Sequence, residues 1–328
     1  MFQKLFACLL AILLCLSALS CTPNGADPKE TGTEPESESL TDTAESTEES
    51  ESETETESDE NIPSYNEVPK SLKILAIGNS FSVDAMEYLY QIAESAGVEE
   101  IVLGNLYIGG CSLASHKKHA MDDDAAYRYY KNTSGTWQST ANTSFSTGVK
   151  DEDWDVITLQ QVSGSSGLPE TYGNDLDILL YYVDGMKTNE NARIFWHMTW
   201  AYQQNSTHTS FPSYNNNQLI MYSRILSTVQ ECILPNEMVD GVIPNATAVQ
   251  NARTSYIGDT LTRDGYHMDK TLGRYIVALT YFAAITGCDI SNISYAPNGV
   301  NSTAMVMAKT SVQDAIRAPY DVTPSIYK

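Results

Sequence analysis

The stretch Lys73-Ile-Leu-Ala-Ile-Gly-Asn-Ser-Phe-Ser82 decides the fold of the chain. Its aliphatic run predicts a strand buried on both faces, and its Gly-Asn pair predicts a sharp turn where that strand ends. The apolar spacing that follows predicts a helix over residues 83–97, with Ser82 as its N-cap. Ser80 is therefore expected at the carboxyl end of a strand, the edge where ligands bind in open α/β sheets.

Further along the chain, strand-like and helix-like segments alternate. Strands are predicted over residues 100–107, 153–161, 192–198 and 238–243, and helices over residues 115–131, 176–186, 218–234, 246–255 and 273–287. Residues 132–150 are rich in Gly, Ser, Thr and Asn, which predicts a loop or a small hairpin whose Trp137 and Phe145 either flank a site or anchor the segment. Such alternation is typical of a parallel sheet, here of five strands, with helices on both faces.

A second motif, Leu261-Thr-Arg-Asp-Gly-Tyr-His267, precedes the last predicted helix. Asp264 and His267 are three residues apart, so the carboxylate and the imidazole can share one turn and point the same way. In that arrangement the carboxylate fixes one ring nitrogen as a donor and leaves the other free to accept a serine proton. An isolated Asp-x-x-His motif is more often the capped start of a helix, but together with Ser80 it indicates a triad.

The order of these motifs resembles the SGNH (GDSL-like) hydrolase superfamily over residues 72–287. Gly78-Asn79-Ser80 follows the first predicted strand, Gly109-Gly110 follows the second, and Asp264-x-x-His267 stands near the end. The resemblance implies an α/β fold, namely a three-layer αβα sandwich of flavodoxin type with a parallel five-stranded sheet.

The resemblance also assigns roles to three side chains. Ser80 would be the nucleophile, His267 the general base and Asp264 the residue that orients the base. Such a site works by double displacement through an acyl-enzyme and needs neither a metal nor a cofactor. We therefore expect a serine hydrolase that cleaves carboxylic esters.

The oxyanion hole implied by the resemblance combines the backbone amides of Ser80 and Gly110 with a side-chain amide. After the third strand the superfamily usually has Gly-x-Asn, whose Asn supplies that amide. This chain has Leu159-Gln-Gln-Val-Ser163 instead. Gln161 is the preferred donor, with Gln160 as the alternative.

Five other side chains are of a type that can take part in binding. Trp200 and Tyr202 follow the fourth predicted strand at the ligand edge, and they are either a substrate platform or core packing. His116 and His119 share a helical face, but no third ligand stands at metal spacing, so a solvated face without a metal is expected. His197 is expected to be a hydrogen-bonded histidine within a strand.

The amino terminus predicts an exported chain. Residues 1–20 hold one basic residue ahead of an apolar run too short for a comfortable bilayer span, which indicates a signal segment. The residues before Cys21 resemble a bacterial lipobox, with lipid attached to Cys21, and an ordinary signal segment is the alternative. Residues 21–66 are expected to be an unfolded tether, because Asp27–Glu60 holds 15 acidic residues and one lysine. Residues 67–328 would form the hydrolase domain.

The composition of the chain and its expected location limit the partners and substrates that we expect. The 328 residues carry a net charge of −23 and show no basic stripe, so nucleic acid is not expected as a partner. A domain held outside the cytoplasm by a lipid anchor at Cys21, on an acidic tether, favours esterified carbohydrate or a small ester as substrate. We expect removal of acetyl or similar groups from polysaccharide. The alternatives are a lipase or thioesterase that acts on acyl chains, and a glycan-binding lipoprotein that has lost its chemistry.

Overall fold

The computed structural model describes residues 64–328, so the predicted signal segment, Cys21 and most of the predicted tether lie outside the described residues. One mixed sheet contains the strands β1 (Ser71–Gly78), β2 (Glu100–Tyr107), β3 (Tyr127–Asn132), β4 (Gln138–Thr143), β5 (Val156–Leu159), β6 (Arg193–His197) and β7 (Gly241–Ile243). Their order across the sheet is β4-β3-β2-β1-β5-β6-β7.

Two sets of helices pack on this sheet. The helices are α1 (Ser80–Met86), α2 (Leu89–Ala96), α3 (Leu113–Asp122), α4 (Phe145–Val149), α5 (Gly173–Met186), α6 (Gln218–Thr228), α7 (Asn245–Arg253), α8 (Leu272–Thr286) and α9 (Ser302–Arg317). Contacts link α1, α2, α7, α8 and α9 to one another, and a separate set links α3, α4 and α5. The predicted three-layer α/β architecture is therefore confirmed.

The five predicted parallel strands are present as β1, β2, β5, β6 and β7, with β1 at the centre between β2 and β5. The sheet nevertheless has seven strands instead of five. The additional strands β3 and β4 form a hairpin that pairs antiparallel to β2 at one edge. The carboxyl ends of the five parallel strands meet at one edge of the sheet, as in other parallel sheets.

The strand β1 forms the centre of the core. All side chains from Ile74 to Ile77 are at most 1% exposed, so both faces of this strand are covered. Aliphatic and β-branched residues suit such a position, because successive side chains point to opposite faces and each must be apolar. The prediction of a strand buried on both faces is confirmed.

The prediction of one helix over residues 115–131 is wrong in its second half. Helix α3 ends at Asp122, and Asp123 takes a left-handed conformation with φ of 46° that stops the helix. Beyond it, Tyr127 and Tyr129 are buried while Arg128 between them is exposed, which is the two-residue period of a strand. Aromatic residues favour that state, and the segment becomes β3.

The start of the helix after β1 also differs from the prediction. Asn79, and not Ser82, is the N-cap, because its side chain accepts a hydrogen bond from the amide of Phe81. Ser82 lies inside α1, where its hydroxyl bonds back to the Asn79 carbonyl at 2.7 Å. The predicted single helix over 83–97 is divided into α1 and α2. Helix α2 ends at Gly97, where the end of the single helix was predicted, and Gly97 adopts φ of 103°.

The carboxyl-terminal residues complete the helical layer. Helix α9 packs against α7 and α8. At the other end of the described chain, the amide of Asn66 donates to the carbonyl of Gly287 at 3.0 Å, which ties the chain ahead of residue 67 to the end of α8. Within residues 64–328, none of the helices has the length and apolarity needed to cross a bilayer.

Candidate active site

The turn between β1 and α1 presents Ser80 as the first residue of the helix, half-buried at the carboxyl edge of the sheet. Gly78 is required by close packing, since a Cβ atom there would meet Ser82 Oγ at 2.7 Å and Gln160 Oε1 at 2.8 Å. Asn79 then caps the helix through its Oδ1 atom. The position of the Ser80 hydroxyl is thus set by a turn with no room for a larger residue.

The loop before α8 positions Asp264 and His267. A β-bridge between Thr262 and Met268 closes the loop, and Gly265 turns it with φ of 91°. The Oδ1 atom of Asp264 accepts the backbone amide of His267 at 2.8 Å, so this carboxylate caps its own loop. These local contacts shape the loop, and contacts with other parts of the chain hold it in position.

The structure brings Ser80, Asp264 and His267 into one hydrogen-bonded chain. The Nε2 atom of His267 lies 2.7 Å from Ser80 Oγ, and its Nδ1 atom lies 2.7 Å from Asp264 Oδ2. A carboxylate oxygen only accepts, so Nδ1 of the neutral ring carries the proton and Nε2 accepts the serine hydroxyl. This is the arrangement that a general base needs in order to activate a serine.

The same contacts keep the Asp264 carboxylate ionised. Partial burial acts to raise the pKa of Asp264, but hydrogen bonds from the His267 side chain and backbone, together with the charge of that ring, lower it overall. The side chains of His267 and Asp264 are 16% and 39% exposed. The pair therefore lies at the surface, within reach of a bound molecule.

Asp84 anchors the histidine loop to the nucleophile helix. It lies one turn after Ser80 on α1, is fully buried, and accepts the amide of Met268 at 2.9 Å. Arg263 and Arg274 add charge-assisted bonds to the same carboxylate at 3.0 and 2.8 Å. The helix that carries the serine thus also holds the loop that carries the base. Asp84 was not predicted as a functional residue, although an aspartate among the apolar residues of a predicted helix was a signal.

Trp200 and Tyr202 do not form a substrate platform, because both side chains are fully buried. The ring of Trp200 stacks on Phe81 with centroids 4.3 Å apart, and its Nε1 atom donates to the Tyr266 carbonyl at 2.7 Å. The hydroxyl of Tyr202 pairs with Ser163 at 2.9 Å. The platform assignment is wrong, and Trp200 instead supports the histidine loop from inside.

The assignment of Gln161 as an oxyanion donor is also wrong. Its Nε2 atom donates to the carbonyl and hydroxyl oxygens of Thr171 at 3.0 and 3.2 Å, and its Oε1 atom accepts the amide of Leu113 at 3.0 Å. Both ends of the amide are committed to holding neighbouring turns. The side chain is 1% exposed and cannot reach a ligand without breaking these bonds.

Gln160, the alternative donor, belongs to a buried relay that crosses the sheet edge beneath the site. The amide of Phe81 donates to Asn79 Oδ1, so Gln160 must present Nε2 to that oxygen, at 2.9 Å. Gln160 Oε1 then accepts Nδ1–H of His197 at 3.1 Å, and Nε2 of His197 accepts from Asn245 at 3.0 Å. We name Asn79, Gln160, His197 and Asn245 the buried relay. The prediction of a hydrogen-bonded His197 is confirmed.

Two backbone amides are available, one in the turn after β1 and one in the turn after β2, and Asn79 Nδ2 links these turns by donating to the Cys111 carbonyl at 3.1 Å. Among residues 64–328, neither the amide of Ser80 nor that of Gly110 has a hydrogen-bond partner. Gly110 lies in an exposed turn after β2 with φ of 64°, a conformation that glycine adopts without strain. Free amides at a helix start and in a glycine turn are donors of the kind that hold an oxyanion.

The histidines of α3 lie away from this site. His116 is fully buried, and its Nδ1 atom lies 3.0 Å from the hydroxyl of Tyr127, so the predicted solvated face is wrong for this residue. His119 pairs with Asp124 at 2.7 Å. No group of three or more His, Cys, Asp or Glu side chains in the part of the chain that the structure describes is arranged to hold a metal ion.

The fold and the site together define an α/β protein with a Ser-His-Asp triad at the carboxyl edge of its sheet. The chain belongs to the DUF4886 family, described as a domain of unknown function, whose sequence model matches residues 73–315. The crystal structure of a DUF4886 family protein from Bacteroides uniformis is 38% identical in sequence, with a TM-score of 0.75. The match covers 77% of this chain and 98% of that one.

Two other solved structures are more distantly similar. A candidate SGNH hydrolase from Slackia heliotrinireducens has 16% identity and a TM-score of 0.42, over 66% of this chain and 99% of its own. A lipase from a goat rumen metagenome has 13% identity and a TM-score of 0.41, over 67% and 100%. At such TM-scores neither structure bears on the function of this chain. No curated protein matches the chain.

Proposed function

We propose that this protein is a serine hydrolase of carboxylic esters. The observation that carries the proposal is the continuous chain from Ser80 through His267 to Asp264, with 2.7 Å at both links. The partly exposed Asp264 carboxylate and the free backbone amides of Ser80 and Gly110 support it. The resemblance of the motif order to SGNH hydrolases points to the same chemistry.

In the proposed reaction, His267 accepts the Ser80 proton as Oγ attacks the ester carbonyl carbon. The negative charge that develops on the carbonyl oxygen is stabilised by the amides of Ser80 and Gly110. His267 then gives the proton to the leaving alcohol, and the acyl group remains on Ser80. Water, activated by the same imidazole, attacks this acyl-enzyme and releases the acid.

The proposed substrate is an acetyl or similar ester on a polysaccharide. Two features support it: the acidic tract and Cys21 suit a protein that faces material outside the cell, and the site opens at the carboxyl edge of the sheet. A lipase or thioesterase would instead prefer long acyl chains. Hydrolysis rates on p-nitrophenyl acetate, p-nitrophenyl octanoate and acetylated oligosaccharides separate these activities.

The nucleophile can be tested directly with a serine-reactive phosphonate followed by peptide mapping. We expect the wild type to be labelled at Ser80 and Ser80→Ala to lose roughly 10³-fold or more of its turnover, because covalent catalysis is removed. Ser80→Ala should fold normally, since its side chain is small and half-buried. Labelling at another serine, or full turnover in Ser80→Ala, contradicts the proposal.

We also propose that lipid on Cys21 anchors the protein outside the cytoplasm. This rests on the lipobox-like residues before Cys21 in the sequence, which lie outside the described residues. Cell fractionation of the wild type and Cys21→Ser tests it. Wild type should be found in the membrane fraction, and Cys21→Ser should be released or remain unprocessed. Equal membrane retention of both forms would rule the anchor out.

A further inference from the structure

A cavity of about 180 Å³ opens on the flank of the nucleophile helix. Val83 and Glu87 of its lining follow Ser80 by one and two turns, so they share the helix face that carries the serine. The full lining consists of Val83, Met86, Glu87, Asn105, Tyr130 and Trp137. The cavity therefore lies between α1 and the antiparallel hairpin that the fold adds to the parallel sheet.

The hairpin connects this cavity to the glycine turn beside the serine. Asn105 and Tyr130 stand opposite each other in the β2–β3 pair, so their side chains share one face. Ser82 Oγ lies 3.1 Å from Asn105 Oδ1, which identifies that face as the one covered by α1. Tyr107 is two residues further on the same face, with its ring 5.7 Å from that of Tyr130. A Cβ on Gly109 would lie 3.1 Å from the Tyr107 hydroxyl.

The polar groups of the cavity are unusual for an acyl pocket. Asn105 is 2% exposed, and only one end of its side-chain amide has a hydrogen-bond partner among residues 64–328, namely Ser82 Oγ. Glu87 pairs through Oε2 with Arg274 at 3.2 Å, and its second oxygen faces no cation in the same part of the chain. An acyl chain would leave the free end of the buried Asn105 amide without a partner, which costs free energy, whereas the partly exposed Glu87 carboxylate would keep its contact with water.

A sugar ring satisfies both sides of this cavity. A hydroxyl group donates and accepts, so it can pair with either end of the Asn105 amide and can donate to the Glu87 carboxylate. Tyr130 and Trp137 are half-buried and supply an aromatic wall for the apolar face of the ring. The volume is below the roughly 300 Å³ at which drug-sized pockets begin, which suits one ring better than a long chain.

We propose that this cavity binds one sugar residue of a glycan whose adjoining residue carries the ester attacked by Ser80. The proposal rests on the proposed ester hydrolysis, because it places the sugar one turn along α1 from the reacting serine. It gives the β3–β4 hairpin a role in recognition and makes Trp137 and Asn105 its binding residues.

The first test compares Trp137→Ala with wild type on chemically O-acetylated xylohexaose and mannohexaose, on p-nitrophenyl acetate and on p-nitrophenyl octanoate. We expect kcat/KM on at least one acetylated oligosaccharide to fall roughly tenfold or more, through KM, because a central aromatic contact is lost. The rate on p-nitrophenyl acetate should stay within about twofold. Trp137→Phe should restore most of the loss, and Tyr181→Ala, an exposed aromatic on α5 at 71% exposure, should change nothing.

Two outcomes of this test overturn the proposal. An equal loss on the oligosaccharides and on p-nitrophenyl acetate would show that Trp137 supports the serine turn. A loss confined to p-nitrophenyl octanoate would identify the cavity as an acyl pocket.

The second test measures binding without turnover. Calorimetric titration of Ser80→Ala with unesterified xylohexaose and mannohexaose should show binding of at least one of them, and the double variant Ser80→Ala/Trp137→Ala should bind it more weakly. Ester hydrolysis by the wild type without binding of either sugar overturns this inference alone. Sugar binding without hydrolysis of any ester supports the cavity and overturns the proposed function.

Discussion

His197 and His267 both lie at the carboxyl edge of the sheet within hydrogen-bonded chains, yet their surroundings differ. His197 is 1% exposed, and amide groups occupy both of its ring nitrogens. His267 has a carboxylate on Nδ1 and the Ser80 hydroxyl on Nε2. The first ring is enclosed by neutral partners, whereas the second joins an anion to a nucleophile at the surface.

This difference shows what makes a histidine a base. Protonation of His197 would place a charge among neutral amides, and burial accordingly lowers its pKa to about 3. A proton on His267 would lie beside the Asp264 carboxylate, which the same contacts keep ionised. The buried relay therefore contributes a fixed position for Asn79 and the serine turn, whereas the triad would carry out the proton transfer of the proposed reaction.

The largest expected effect comes from removing the surface base. His267→Ala should lower kcat/KM on p-nitrophenyl acetate by about 10³-fold to 10⁴-fold, because Ser80 loses its proton acceptor. The free energy of unfolding should fall by about 1 to 2 kcal/mol, since the ring is only 16% exposed and packs on Tyr266. Ester hydrolysis and thermal melting of the same preparation check both statements. Undiminished hydrolysis by folded His267→Ala would mean that the base lies elsewhere.

Asp84 links the two regions, and its removal should cost stability as well as activity. Asp84→Asn leaves Arg263 and Arg274 without their buried anion, and breaking such a pair costs about 3 kcal/mol or more. Activity should fall too, because asparagine keeps only one accepting oxygen, so either the Met268 amide or the arginines lose their acceptor and the histidine loop can shift. Urea unfolding measures the first effect, and kcat the second.

Glu87→Gln is the matched control for Asp84→Asn. Glu87 also pairs with Arg274, at 3.2 Å, but its side chain is 35% exposed. A partly exposed pair contributes at most about 1 kcal/mol. If Glu87→Gln destabilises the protein as much as Asp84→Asn does, the buried carboxylate has no special role in holding the loop.

Sequence patterns correctly predicted the features that depend on contacts between residues close in sequence. Ser80, Asp264 and His267 were identified because one turn and one seven-residue loop place them, and each motif is readable within a few residues. The five parallel strands followed from apolar runs. Asp84 was missed because its partners Arg263 and Arg274 are 179 and 190 residues away.

The wrong predictions for Gln161 and Trp200 also result from contacts with residues that are distant in sequence. Gln161 is chemically able to bind an oxyanion, but Thr171 and Leu113 occupy its amide, and nothing in the Gln-Gln motif reveals them. Trp200 follows a strand at the ligand edge, yet Phe81 and the Tyr266 carbonyl draw it into the core. Residue type indicated what these side chains could do, and contacts distant in sequence decided what they do.

The acid dependence of stability should distinguish the buried region from the surface pair. Burial lowers the pKa of His197 from 6.5 to about 3, and burial followed by repulsion from His119 does the same for His116. Between these values the unfolded chain binds more protons than the folded one, so the free energy of unfolding falls as the pH is lowered from about 6.5. The stability that the neutral His197 and His116 rings contribute is fully present above about pH 6.5.

Asp264 acts in a different pH window. Its pKa lies below the ordinary 3.8, so its stabilising contribution is present above that value and is lost only as the pH falls further. Urea unfolding of wild type, His197→Gln and Asp264→Asn at several pH values from 7 to 4 should therefore separate the two. His197→Gln should be less stable than wild type at pH 7. Between pH 7 and pH 4 it should lose less of its free energy of unfolding than wild type does, and the difference should be about 3 kcal/mol at most. Asp264→Asn should follow the wild-type slope over this range, and a slope unchanged by His197→Gln would show that this ring is not the buried neutral group described above.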